Sequence, residues 1–290
     1  MLKKKMLNAV SLMLLLIVAN NAFALPTPGK PIEPFRIASN LYFIGNTYVA
    51  SYLIVTPKGN ILINSDFEED VPMLESNIKK LGFNFKDTKI LLISHAHNDH
   101  AGGSALIKEK TGAKYMVMDA DVSVVESGGK DDFHYGSSSD PDNFYPPVKV
   151  DKILHDGDTI KLGRTQLVAY KTGGHTKGCT TFTMTLRDKG KSYETIIVGG
   201  PYVNPGYKLV NNKSYPNIAK DYAHTFEVLK SLPVDIFLGA HGVYFDLHGK
   251  LPMIKKGHSE VLFDPDGYMN FVLRKEKDFQ LELKKQKEVG

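Results

Sequence analysis

The feature that most constrains this chain is a crowd of polar side chains placed where an apolar strand stops. Lys89 to Ser94 reads KILLIS and runs directly into His95-Ala96-His97-Asn98-Asp99-His100. The H-x-H-x-D-H pattern sets three imidazoles and a carboxylate, all ordinary zinc ligands, within six residues. His95 and His97 are two apart, so on extended backbone their side chains leave on the same side and can grip one ion together. Asp99 and His100 sit just beyond, where the chain turns toward a helix, and can reach a second ion.

Four ligands do not fill two catalytic sites, which need about three protein ligands each. Two further histidines share the same setting. His175, in Gly173-Gly174-His175-Thr176-Lys177-Gly178, follows a strand that closes at Tyr170. His241, in Leu238-Gly239-Ala240-His241-Gly242, ends a short buried strand. Both are flanked by glycine, which lets the backbone approach closely. Three strand ends at one edge of a sandwich can converge on one site. His134, His155, His224, His248 and His258 lack this context, although His134 falls in a long loop rich in aromatics.

The remaining pattern is α/β. Strands are expected around Leu41 to Phe43, Ser51 to Val55, Ile61 to Ile63 and Lys89 to Ser94. More follow at Lys152 to Leu154, Thr159 to Leu162, Gln166 to Tyr170, Thr180 to Leu186, Glu194 to Val198 and Asp235 to Leu238. Helical spacing appears at Val71, Leu74, Ile78 and Leu81 before Gly82, from Ala101 to Lys110, at Ile218, Tyr222, Phe226 and Leu229, and from about Asp266 onward. Strands then helices, twice, with no linker between, predict two packed sheets with helices outside, as one domain. Glu126 to Val148 is a long polar loop carrying Phe133, Tyr135, Phe144 and Tyr145. Ordered loops of that length are often functional, and its aromatics suit a substrate-facing wall or pins to the core.

The N-terminus has the order of a secretory leader: Lys3, Lys4 and Lys5, an apolar run from Ala9 to Ala19, then Ala22-Phe23-Ala24. The run is short for a membrane span, which takes about 20 residues. Residues 1–24 are therefore expected to be removed, leaving a domain over 25–290 in the periplasm with no membrane anchor. The leader carries three lysines and no acid, so its loss takes the net charge from +4 to +1. A nearly neutral protein without a basic run gives no case for nucleic acid. The single cysteine, Cys179, cannot close an internal disulfide.

On these motifs the chain resembles the metallo-β-lactamase superfamily, and its subclass B3 most closely among the β-lactamases. The subclass likeness rests on Asp132-Phe133-x-Tyr135-Gly136, Tyr145-Pro146-Pro147, Gly174-His175-Thr176 and Asn204-Pro205-Gly206-Tyr207. The resemblance implies an αββα sandwich with two zinc ions along one edge. His95, His97 and His175 would bind the first; Asp99, His100 and His241 would bind the second, with a hydroxide between them as nucleophile. Asp99 would also orient that hydroxide, Tyr207 would donate to the developing oxyanion, and Asn204 would meet the substrate carboxylate. The implied activity is hydrolysis of small-molecule β-lactams (penicillins, cephalosporins, carbapenems) by a monomer, giving antibiotic resistance.

Related hydrolases of the same superfamily, such as glyoxalase II thioesterases and lactonases, often bridge their metals with an Asp after the third histidine. Here the matching segment is Ile197-Val198-Gly199-Gly200-Pro201-Tyr202, with Gly200 where that Asp would fall. Many B3 enzymes carry serines in this stretch, so Gly200→Ser is expected to be tolerated and Gly200→Asp to disturb the second metal. A non-catalytic exported zinc-binding protein would favour closed four-ligand sites. N-terminal sequencing of periplasmic protein should begin at Leu25; a retained Met1 would contradict the leader.

Overall fold

A computed structural model describes residues 29–289; the leader and the cleavage point after Ala24 lie outside the described residues. Seven strands form one sheet in chain order: β1 (Phe35–Ala38), β2 (Leu41–Phe43), β3 (Tyr52–Thr56), β4 (Gly59–Ile63), β5 (Thr88–Leu92), β6 (Lys114–Met118) and β7 (Lys152–Leu154). The second sheet runs β12-β11-β10-β9-β8, from β8 (Asp158–Leu162), β9 (Thr165–Lys171), β10 (Thr180–Asp188), β11 (Lys191–Val198) and β12 (Ile236–Gly239). The helices are α1 (Val71–Lys80), α2 (Asn98–Ala101), α3 (Ser104–Thr111), α4 (Val122–Glu126), α5 (Ile218–Ser231), α6 (Leu247–Ile254) and α7 (Pro265–Val289). This is the αββα arrangement expected of the sequence.

Alternation along the first sheet divides its side chains between two cores. Ile61 and Ile63 of β4, Ile90 and Leu92 of β5, and Met116 and Met118 of β6 join the larger core. Leu62, Leu91, Tyr115 and Val117 point the other way, toward Val71, Leu74 and Ile78 of α1 and Ile107 of α3. β5 pairs in parallel with both β4 and β6. A central parallel strand is covered on both faces, which is why KILLIS has no polar alternation. The larger core also takes Phe182, Met184 and Leu186 of β10, Phe226 of α5 and Phe271 of α7.

The structure departs from the sequence expectation in ways that serve the site. β5 ends at Leu92, two residues early, because Ser94 is tied elsewhere. Its N–H donates to Asn64 Oδ1 (2.8 Å), and its carbonyl accepts from Thr180 N–H of the second sheet (2.7 Å). The helix expected from Ala101 begins at Ser104, since Gly103 N–H turns to the Asp66 carbonyl (2.9 Å) and separates α2 from α3. β1, β6, α4 and α6 were not foreseen by the pattern. The ends of β5 and β12 and the β9–β10 connection meet at one edge of the sandwich. There Ala50 N–H donates to the Ala240 carbonyl (2.8 Å), and Val49 bridges His241. Among the described residues, no helix is long and apolar enough to cross a membrane.

Phe182 is fully buried in the larger core. Phe182→Ala should cost about 3–5 kcal/mol of stability, read as a lower denaturant midpoint at a fixed zinc concentration. An unchanged midpoint would show that this side chain does not hold the core.

Candidate metal centre

The four polar side chains after β5 separate as the backbone turns. His95 and His97 leave the extended stretch, and Asp99 and His100 lie on the short α2, for which His97 is the N-terminal cap residue. Ligand-capable atoms of His95, His97 and His175 lie within 4.8 Å of one another, as do those of His95, Asp99 and His100. The three imidazole rings of the first group are nearly equidistant, with centroids 4.6 to 4.8 Å apart.

His241 completes a second cluster. Its Nε2 lies 3.0 Å from His100 Nε2 and 3.6 Å from Asp99 Oδ2, and His100 Nε2 is 3.3 Å from Asp99 Oδ2. Three donor atoms at such spacing, from two imidazoles and a carboxylate, suit one divalent cation of the zinc type. Among the described residues His100 Nδ1 is buried without a partner, and its Nε2 is the nitrogen that joins the cluster.

The electrostatics favour the same use. Burial, reinforced by neighbouring imidazoles, holds His95 well below the ordinary histidine range. Burial likewise lowers His97 and His241 to about 4 and His175 to about 3. Neutral imidazole is the form with a lone pair for a metal. Burial alone would raise Asp99, but His100, His241 and His97 outweigh it and keep the carboxylate ionised.

Four of the five imidazoles are oriented by a second contact, as metal-ligating histidines usually are. His175 Nδ1–H donates to the Tyr202 carbonyl (2.9 Å) and His241 Nδ1–H to the Tyr48 carbonyl (3.1 Å). Ser94 Oγ lies 3.1 Å from His95 Nδ1. His97 turns its Nε2 toward Asp132 Oδ2 (3.8 Å) and the Tyr207 hydroxyl (3.5 Å). Asp132 Oδ2 has no other partner.

The long loop is pinned to the site, and one of its aromatics faces a candidate ligand. Tyr145 donates its hydroxyl to the Ala96 carbonyl (2.5 Å), between two candidate ligands. Asn98 Nδ2 donates to the Asp142 carbonyl (2.8 Å). Phe133 packs on Tyr207 and Tyr215, whereas Tyr135 faces His97 and accepts from Asn204 Nδ2 (3.1 Å). His134 is half-buried against Tyr135 and Tyr207 and belongs to neither cluster.

Two further positions make close contacts with His175. Tyr207 is 1% exposed and its hydroxyl donates to the His175 carbonyl at 2.8 Å. Its one proton is given there, so the hydroxyl helps to hold His175. A Cβ at position 200 would lie 2.9 Å from His175 Cδ2, closer than real Cβ contacts come, so the ring would have to move. Gly174 is required on two counts, with φ of 125° and a Cβ position 2.6 Å from the Tyr222 ring.

Residues 44–188 match the family described as the metallo-β-lactamase superfamily. The native FEZ-1 metallo-β-lactamase from Legionella gormanii is 57% identical, with TM-score 0.88, covering 91% of this chain and 99% of that one. The class B3 di-zinc metallo-β-lactamase LRA-12 from an Alaskan soil metagenome is 39% identical, with TM-score 0.82, covering 87% and 94%. Among curated proteins, a probable metallo-hydrolase of Burkholderia pseudomallei is 32% identical over 95 residues; the match spans 33% of this chain and 31% of that relative's length. The chain belongs to the metallo-β-lactamase superfamily and, within it, is a hydrolase of subclass B3.

Gly200→Ala should weaken metal retention, because the added Cβ would displace the His175 ring, read by competition with a chromophoric chelator. Cys179→Ser is the control. Cys179 is fully buried, burial raises its thiol well above the ordinary range, and its Sγ faces the Gly200 carbonyl. That variant should keep its metal; loss of metal there, or none in Gly200→Ala, would contradict this account.

Proposed function

We propose that this protein hydrolyses β-lactam antibiotics in the periplasm, using two zinc ions. The observation that carries the reading is the pair of adjacent clusters, one of three imidazoles and one of Asp99, His100 and His241 with donor atoms 3.0 to 3.6 Å apart. The B3 relatives, one described as di-zinc, support the same reading. His95, His97 and His175 are assigned to the first ion, and Asp99, His100 and His241 to the second. Because the ligands come from both sheets, the two sheets are read as one catalytic domain. Such an ion pair supplies a water-derived nucleophile at neutral pH and Lewis acidity toward a carbonyl.

The chain's own residues do the positioning. Asp99, kept ionised by its imidazole neighbours, is the carboxylate of the second cluster and the group placed to accept a proton from the attacking water. His97, Asp99 and His241 are each 12 to 15% exposed at the side chain. His95, His100 and His175 are buried more deeply. Substrate therefore approaches across the first three. Asn204 gives one amide hydrogen to Tyr135, and the other is available to a substrate carboxylate. Tyr207 supports His175 and His97 from behind. No serine or cysteine nucleophile is needed, so no covalent acyl-enzyme forms.

The thioesterase alternative relies on a bridging carboxylate beside the third histidine. Position 200 lies against His175 and offers only a hydrogen atom. A storage role fits poorly with three ligands per cluster, since non-catalytic sites are normally closed with four.

Purified protein should carry two zinc ions and turn over nitrocefin and a carbapenem, with activity abolished by chelation and untouched by serine-trapping inhibitors. His241→Ala should lose one ion and keep the other. Efficient cleavage of S-lactoylglutathione with no lactam turnover would overturn the β-lactamase reading while leaving the metal centre intact.

A further inference from the structure

Asp121 is a buried carboxylate that ligates nothing in the scheme above. It directly precedes α4, and an Asp at that position ordinarily accepts from the first N–H groups of its own helix. Here no such cap bond forms. The side chain turns away from its helix and collects three donors from elsewhere. Oδ2 accepts from Ala96 N–H (3.1 Å) and Thr176 Oγ1–H (2.7 Å), and Oδ1 accepts from Gly178 N–H (2.7 Å).

Those donors belong to the two ligand-bearing loops. Ala96 stands between His95 and His97. Thr176 follows His175, and its carbonyl accepts from Gly174 N–H (2.9 Å), closing the turn around that histidine. Gly178 allows the approach, because a Cβ there would fall 2.6 to 2.8 Å from Asp121 atoms. One carboxylate thus fastens the loop after β5 to the loop between β9 and β10. Burial pushes its carboxyl up to about 6, with the three donors opposing that rise, so it is ionised at neutral pH. Hydrogen bonds to a charged acceptor are the stronger kind. The side chain is 1% exposed, so water does not compete for it.

We infer that Asp121 is a positioning residue that sets the separation of His175 from His95 and His97, and so the metal affinity of the three-histidine cluster. The inference rests on the assignment of those three histidines as metal ligands. Replacing the carboxylate by an amide turns one accepting oxygen into a donor that faces N–H or O–H groups. The two loops then lose part of their clasp while the helices and sheets keep their cores.

The test measures zinc affinity by chelator competition and records the cobalt(II) absorption spectrum of the full mature chain. Unfolding of the metal-free protein is followed in parallel. Wild type should bind two equivalents; failure to bind would overturn the ligand assignment and the inference with it. In Asp121→Asn one equivalent should weaken about 10- to 100-fold, the range for lost outer-shell partners, with an altered cobalt spectrum for that equivalent alone. Asp121→Glu should recover less than full affinity, because the longer side chain crowds Gly178. A folded Asp121→Asn with wild-type affinity and spectrum would overturn the inference. Should Asp121→Asn fail to fold, Thr176→Val removes one donor at constant shape. Weakened affinity at one equivalent in that variant supports the clasp, and unchanged affinity overturns it.

Discussion

Five imidazoles and a carboxylate are packed together at one edge of a sandwich, largely out of water, and the rest of the structure has to hold them there. Left alone the arrangement is unfavourable. Each buried polar atom without a partner costs about 1–3 kcal/mol, and protonating the rings would add mutual repulsion to the loss of solvent. The depressed histidine values and the unpartnered Nδ1 of His100 express that cost. A divalent cation at the proposed centre would accept the lone pairs that the fold has gathered, which would couple metal binding to local folding.

The scaffold holds the cluster by anchoring each ligand loop to a different rigid element. β5 delivers His95 and His97, the β9–β10 connection delivers His175, and β12 delivers His241. Cross-ties then link the two sheets at that edge. Ser94 is bonded both to Asn64 after β4 and to Thr180 of β10, and Ala240 to Ala50 and Val198. Buried Asp66 accepts from Ser51 Oγ (2.5 Å) and Asn46 Nδ2 (3.2 Å), and its own carbonyl positions Gly103. Small residues stand where the approach is closest. Gly200 lies against one face of His175, and Gly174 against Tyr222. The long loop after α4 is fastened through Tyr145 and Asn98, and its Tyr135 lies against His97 and accepts from Asn204.

Much of this was legible in the sequence, and the reason is periodicity. Strands with a two-residue repeat, helices with a 3.6-residue repeat, and the H-x-H-x-D-H motif at the end of an apolar run all write local geometry into local sequence. Where the local pattern is ambiguous the reading falters. Lys114–Met118 (KYMVM) is short and apolar on both faces, so its place beside β5 follows only from pairing. β5 stops at Leu92 although KILLIS reads on, because the hydrogen-bond partners of Ser94 lie just after β4 and in the other sheet.

The sequence by itself determined the ligand types, their spacing and the two-sheet architecture, because those are consequences of side-chain chemistry and backbone repeat over a few residues. Only the tertiary structure decided which non-ligand groups support them. Asp121 directly precedes α4 yet makes no cap bond there, and Tyr207 reads locally as a free donor. Their hydrogen bonds go instead to Ala96, Thr176 and Gly178, and to His175, at separations of 25 to 57 residues for Asp121 and 32 for Tyr207. A hydrogen bond is satisfied by whichever partner lies within about 3 Å, and over such separations only the folded chain determines which partner that is.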